Sequence, residues 1–97
     1  MEIRKNSANG KLTLKPLGRI DTVTAPELAK EVVLDNVKEI EFDLSEVDYI
    51  SSAGLRIFLG TQQKMEASGG KMMLSGVKPI VKDIFDIVGF ADAFTFI

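Results

Sequence analysis

Between Ile40 and Leu59 the spacing of apolar residues changes, and that change limits the chain to folds in which a buried strand runs straight into a helix. Ile40, Phe42 and Leu44 alternate with Glu41 and Asp43, the period-two pattern of a strand. Leu55, Phe58, Leu59 and Gln62 then fall at i, i+3, i+4 and i+7, with Met65 near the same face. The spacing predicts a helix that opens at Ser51 or Ser52, after a short turn, and runs to about Ala67. Ser68-Gly69-Gly70 supplies its stop. Two hydroxyls therefore sit where the strand hands over to the helix. The first helical turn has amides without intrahelical partners and carries partial positive charge. A serine there can cap the helix, or, if modified, let the same amides hold a phosphate. Ala53-Gly54 permits close approach of another backbone or of a partner. The residues alone leave both readings of the serines open.

The rest of the chain supplies elements on either side. Residues 2–5 read as a weak strand, and Asn9-Gly10 signals a tight hairpin because both tolerate positive φ. Residues 11–15 alternate as a half-buried strand; Pro16 suggests an edge or a bulge before the strand continues to Ile20. Thr24 is a candidate N-cap, with Pro26 and Glu27 in the first turn of a helix that presents Leu28, Val32 and Val33 and ends at Asp35-Asn36. Residues 71–75 form a short strand. Pro79 opens a helix whose stripe is Val77, Ile80, Val81, Ile84, Phe85 and Val88, stopped by Gly89. Residues 94–97 read as a last strand. The order is β-β-α-β-α-β-α-β, which predicts an α/β fold with a mixed sheet and crossover helices, in one domain spanning 1–97. The periodicity of Phe42, Phe58 and Phe85 assigns them to packing rather than to a cofactor box.

Composition removes several kinds of function. There is no Cys and no His, so disulfides, thiolate metal sites and the commonest general base are excluded. A serine nucleophile has no histidine to activate it, and no S-x-x-K begins at Ser51 or Ser52. Asp43, Glu46 and Asp48 lack the spacing of a calcium loop and read as a solvated acidic loop. The expectation is no enzyme, no metal and no cofactor. With a net charge of −2 and scattered lysines and arginines, the chain carries no basic stripe for nucleic acid. No apolar run is long enough to span a bilayer, and residues 1–5 lack the apolar core of a signal peptide, so a cytoplasmic location is expected.

The string from Asp43 to Leu59, D-L-S-E-V-D-Y-I-S-S-A-G-L-R-I-F-L, resembles the signature of the STAS domain as found in bacterial anti-sigma factor antagonists. Gly18-Arg19-Ile20-Asp21 followed by Ala25, Gly69-Gly70-Lys71, Pro79-Ile80-Val81 and the run from Phe85 to Phe90 resemble further landmarks of that family. The resemblance implies a four-to-five-stranded mixed sheet with helices mainly on one face. It also implies a partner switch. The unphosphorylated antagonist binds an anti-sigma factor, often itself a serine kinase, and frees a sigma factor; phosphorylation at the start of the long helix breaks the complex, and a serine phosphatase is a further partner. Matching on Gly54 puts the acceptor at Ser52, with Ser51 the lesser candidate. Ser51 stands where many relatives have Asp, and Ala53 where some have Ser or Thr. The implied partner surface comprises Asp21, Asp48, Ser51, Ser52, Ala53, Gly54 and Arg56. The alternative is an interaction module of a transporter or lipid-trafficking complex with no phosphorylation cycle.

Overall fold

A computed structural model describes all 97 residues. The hairpin forms where Asn9 and Gly10 both take positive φ, 54° and 80°, and joins β1 (Glu2–Ala8) to β2 (Lys11–Ile20) in antiparallel register. α1 follows (Ala25–Glu31), then β3 (Glu39–Asp43), β4 (Val47–Ile50), α2 (Ser52–Ser68), β5 (Lys71–Ser75) and α3 (Pro79–Ile87), with a short 3-10 turn at Ala91–Ala93. The sheet order is β1-β2-β3-β5, with β4 paired to the far end of β2. β2–β3, β2–β4 and β3–β5 are parallel pairs, so the sheet is mixed as expected.

Register explains the core. Leu12, Ile40 and Met72 form one row across three strands, and Leu14, Phe42 and Leu74 the next. All six are buried, and they pack with Leu28, Leu55, Phe58, Met65, Val81 and Phe85 of the helices in one cluster. Phe42 and Phe58 meet edge to face at 4.8 Å between centroids, and Phe85 and Phe94 at 5.4 Å. These geometries suit the aromatic quadrupole. The assignment of Phe42, Phe58 and Phe85 to packing therefore stands. The opposite face of the sheet carries polar groups: Lys11 Nζ lies 3.1 Å from Glu41 Oε1, and Ser75 Oγ donates to Glu41 Oε2 at 2.6 Å. These bonds hold the Glu41 carboxyl below its ordinary range, the Ser75 hydroxyl contributing most, against the upward push of partial burial.

Four details differ from the sequence-based expectation. Residues 47–50, expected as a turn, form β4. Residues 94–97 contribute one parallel bridge, Leu74 to Phe96, in place of a full strand. α1 ends at Glu31, before Asp35-Asn36. Pro16 is buried within β2 rather than at a sheet edge. It falls between the stretch that pairs β3, which ends at Leu14, and the stretch that pairs β4, which begins at Gly18, so no ladder on that side needs its missing N–H. The bulge follows at Gly18/Arg19, where Gly18 has φ 100°.

Candidate functional site

The two serines lie where β2 and β4 end side by side. Past the bulge, Arg19 pairs with Tyr49 and Ile20 with Ile50. Ser51 then donates its amide to the Ile20 carbonyl at 2.8 Å, which ties the start of α2 to the start of the β2–α1 loop. Ser51 keeps extended backbone, φ −85° and ψ 174°, and its Oγ accepts from the Gly54 amide at 3.4 Å. Ser51 is therefore the N-cap and Ser52 the first helical residue. Ser52 is exposed, and its hydroxyl enters no hydrogen bond within the chain. The structure thus divides the pair: one hydroxyl serves the helix and the other faces solvent.

Gly54 has an internal part. A Cβ at Gly54 would stand 2.7 Å from Ile20 Cγ2 and 2.9 Å from Ile50 Cγ2. Both isoleucines are fully buried, so the bare glycine lets the first turn of α2 rest on the ends of β2 and β4. Gly54 is itself buried, and the close approach it permits here is to this chain's own strands. Ala53 is half-buried beside it.

Asp21 follows Ile20 and organises its own loop. Its Oδ1 accepts from the amides of Val23 and Thr24, each at 3.0 Å, and lies 3.2 Å from Thr24 Oγ1. The Thr24 hydroxyl also donates to the Arg19 carbonyl at 2.7 Å and accepts from the Asp21 amide at 2.9 Å. Thr24 occupies the N-cap of α1 as expected, but its side chain bonds back into the loop and makes no cap hydrogen bond. The Thr24 amide, first among the causes, holds the Asp21 carboxyl below its ordinary range. This loop presents Val23, 77% exposed, an apolar side chain without cover.

Asp48 and Arg56 flank the serines differently. Asp48 Oδ1 accepts from Lys78 Nζ at 2.8 Å, which lowers the carboxyl and raises the ammonium from their ordinary values, the hydrogen bond leading in both. Its charge is thus partly neutralised. Arg19 lies 4.4 Å over the Tyr49 ring and 4.0 Å from Asp21 Oδ2. Arg56 is exposed, one turn beyond Ser52. Ser52, Leu55, Arg56 and Leu59 of α2 join Val88 and Phe90, past the end of α3, around an open groove of about 370 Å³. Of the other expected acidic residues, Asp43 turns to the Ser45 amide at 3.0 Å. No three acidic side chains converge on a point that could hold a metal ion.

The structure therefore gathers Asp21, Asp48, Ser51, Ser52, Ala53 and Arg56 at one end of the sheet. Sequence reasoning missed Arg19, Tyr49, Lys78, Val88 and Phe90. Arg19, Tyr49 and Phe90 lie in segments that resemble family landmarks but were given no role, and Lys78 carried no signal; Val88 was the last member of the α3 stripe, which pointed to the core, whereas in the structure it is 43% exposed.

Comparison with known proteins gives a consistent set. The family model described as the STAS domain matches residues 2–97. The anti-sigma-B factor antagonist of Listeria monocytogenes is 32% identical over 78 residues, 77% of this chain and 68% of that one. The crystal structure of an anti-sigma factor antagonist from Mycobacterium paratuberculosis aligns with a TM-score of 0.83 and 26% identity, over 98% of this chain and 83% of that one. The Bacillus cell fate determinant SpoIIAA in its phosphorylated form shares the fold, with a TM-score of 0.75 and 15% identity over 99% of this chain and 91% of that one.

Proposed function

The chain belongs to the STAS domain family, and from that membership we propose that it is an anti-sigma factor antagonist switched off by phosphorylation of Ser52. The unmodified protein binds a cytoplasmic anti-sigma factor that is also a serine kinase, and so releases a sigma factor. The kinase transfers the γ-phosphoryl group of ATP to Ser52 Oγ, the hydroxyl proton is lost and ADP leaves. A serine phosphatase restores the active form. The protein acts as a binding module and performs no catalysis of its own.

One observation carries this reading: Ser51 takes the cap and leaves the Ser52 hydroxyl free and exposed at the first helical position. Phosphate there adds about −1.5 to −2 charges at neutral pH. The free amides and the helix dipole favour an anion at that point, so the fold survives modification. The partner surface does not survive it. In this reading Asp21, Asp48, Ser51, Ala53 and Arg56 belong to the same docking surface as the new charge, and a partner packed on them has to desolvate it. Like charges across a contact cost several kcal/mol, and about 1.4 kcal/mol is tenfold in affinity, so a loss of about a hundredfold or more is expected.

The experiment is a pull-down from the native cell with Ser52→Ala as bait, then mass spectrometry of the wild-type chain after incubation with the captured kinase and ATP. Binding is measured on each form. Phosphate found only on Ser51, or full binding by the Ser52-phosphorylated chain, would overturn the proposal. Ser52→Asp is expected to weaken binding less than phosphate, since it has less charge and fewer acceptor oxygens.

A further inference from the structure

The charges around the Ser52 groove are distributed unevenly. The chain has three arginines. Arg4 pairs with Glu2 at 3.4 Å and Arg19 with Asp21 at 4.0 Å, whereas Arg56 enters no ion pair and no hydrogen bond. Arg56 follows Ser52 by four positions in α2, so the two side chains stand on one face, with Cβ atoms about 5–6 Å apart. Helical side chains lean toward the N-terminus, which carries the Arg56 stem toward Ser52 rather than away from it. Both residues line the groove, whose other walls are Leu55, Leu59, Val88 and Phe90, so Arg56 is its one charged group. No lysine lines the groove, and Lys78 and Lys82 are committed elsewhere, to Asp48 at 2.8 Å and to Asp86 at 3.0 Å.

We propose that Arg56 is the internal receptor of the Ser52 phosphate, pairing with it along α2 and closing the Ser52 end of the apolar groove. The inference rests on Ser52 as the acceptor and adds how the switch is read. A guanidinium matches two phosphate oxygens with two parallel N–H donors, which a lysine ammonium cannot reproduce. The phosphate is held from two directions, by the free amides of the first turn below and by Arg56 from the side. Modification then changes the docking face twice: it adds negative charge, and it removes a free cation from the edge of an apolar groove. The fold need not move for this to happen, since only one exposed side chain reorients.

The test uses the full chain with phosphoserine installed at position 52 during synthesis, so neither kinase nor partner is required. The phosphorus NMR shift is followed against pH at low ionic strength for the wild type, Arg56→Gln and Arg56→Lys. The second phosphate pKa is expected to rise by about 0.3–0.7 units in Arg56→Gln, the size of an exposed charge pair, with Arg56→Lys in between. The Arg56 Nε–H resonance is expected to move on phosphorylation of the wild type. Equal phosphate pKa values in the wild type and Arg56→Gln would overturn the proposal. Circular dichroism on each variant confirms that the exposed substitution leaves the fold in place. A kinase that ignores Ser52 would defeat the functional reading while leaving this measurement interpretable.

Discussion

Gly54 and Gly60 lie in the same helix, and the structure assigns opposite signs to their replacement by alanine. Both have helical backbone with negative φ, so alanine is conformationally allowed and gains up to about 1 kcal/mol of helix propensity at an interior position. The difference lies in the space each new methyl meets. At Gly60 nothing lies within 4 Å. Gly60→Ala is therefore expected to stabilise the chain by about 0.5–1 kcal/mol. At Gly54 the methyl would stand 2.7 Å from Ile20 Cγ2, 2.9 Å from Ile50 Cγ2 and 3.4 Å from Ile20 Cβ. Ile20 is 0% and Ile50 1% exposed, so neither can turn aside into solvent. Overpacking of this kind costs about 1–3 kcal/mol; Gly54 is the third residue of α2, in its first turn, where the propensity gain is smaller than in the interior, so a net loss of about 1–2 kcal/mol remains. For a domain of this size that corresponds to a melting temperature lower by roughly 5–15 °C. The assay is urea and thermal unfolding of the three proteins, followed by far-UV circular dichroism, with an unchanged denaturant slope for each. A Gly54→Ala protein as stable as the wild type, or two alanine variants that shift in the same direction, would refute the packing argument.

Three further outcomes are expected. Ser51→Ala should lose about 0.5–1 kcal/mol by removal of the cap, while Ser52→Ala should stay within about 0.5 kcal/mol of the wild type; denaturant midpoints compare them directly. Asp21→Ala removes two amide hydrogen bonds from the β2–α1 loop and should lower the denaturant midpoint and weaken partner binding; a variant unchanged in both midpoint and binding would remove Asp21 from the site. Its hydrogen bonds hold the folded-state pKa of Glu41 below the ordinary value of a glutamate carboxyl, so its contribution is present above that ordinary value and fades as the pH falls through the folded one. Glu41→Gln should therefore lower stability by roughly 1 kcal/mol at neutral pH, with the gap to the wild type closing in acid; a gap that is constant with pH would remove the charge from the account.

Local chemistry was enough to place much of this molecule. The hairpin at Asn9-Gly10, the start of the long helix within a residue of Ser52, its left-handed stop at Gly69 and the proline-led start of α3 each follow from one or two residues whose backbone preferences act on their immediate neighbours. The alternation of Ile40, Phe42 and Leu44 likewise needed only the geometry of a strand with one face buried. The family string pointed to Ser52, and the separate Gly18-Arg19-Ile20-Asp21 segment to Asp21, whose loop the structure ties to the start of α2 through the Ser51 amide and the Ile20 carbonyl.

Contacts between distant segments decided the remainder. β4 has the burial pattern in-out-out-in, which is not alternation, and it forms because β2 bulges at Gly18/Arg19 and offers its far end to Val47, Tyr49 and Ile50. The stripe of α3 looked continuous in sequence, yet only Val81 and Phe85 are buried, while Ile80 is 64% exposed. A helical period shows which residues share a face but not how much of that face a sheet edge can cover. Which serine caps and which stands free depended on the amide of Ser51 reaching the carbonyl of Ile20, thirty-one positions earlier, at 2.8 Å. Neighbouring serines have the same hydroxyl and the same capping preference; the bond to β2 sets where the helix begins, and with it which hydroxyl is left to solvent.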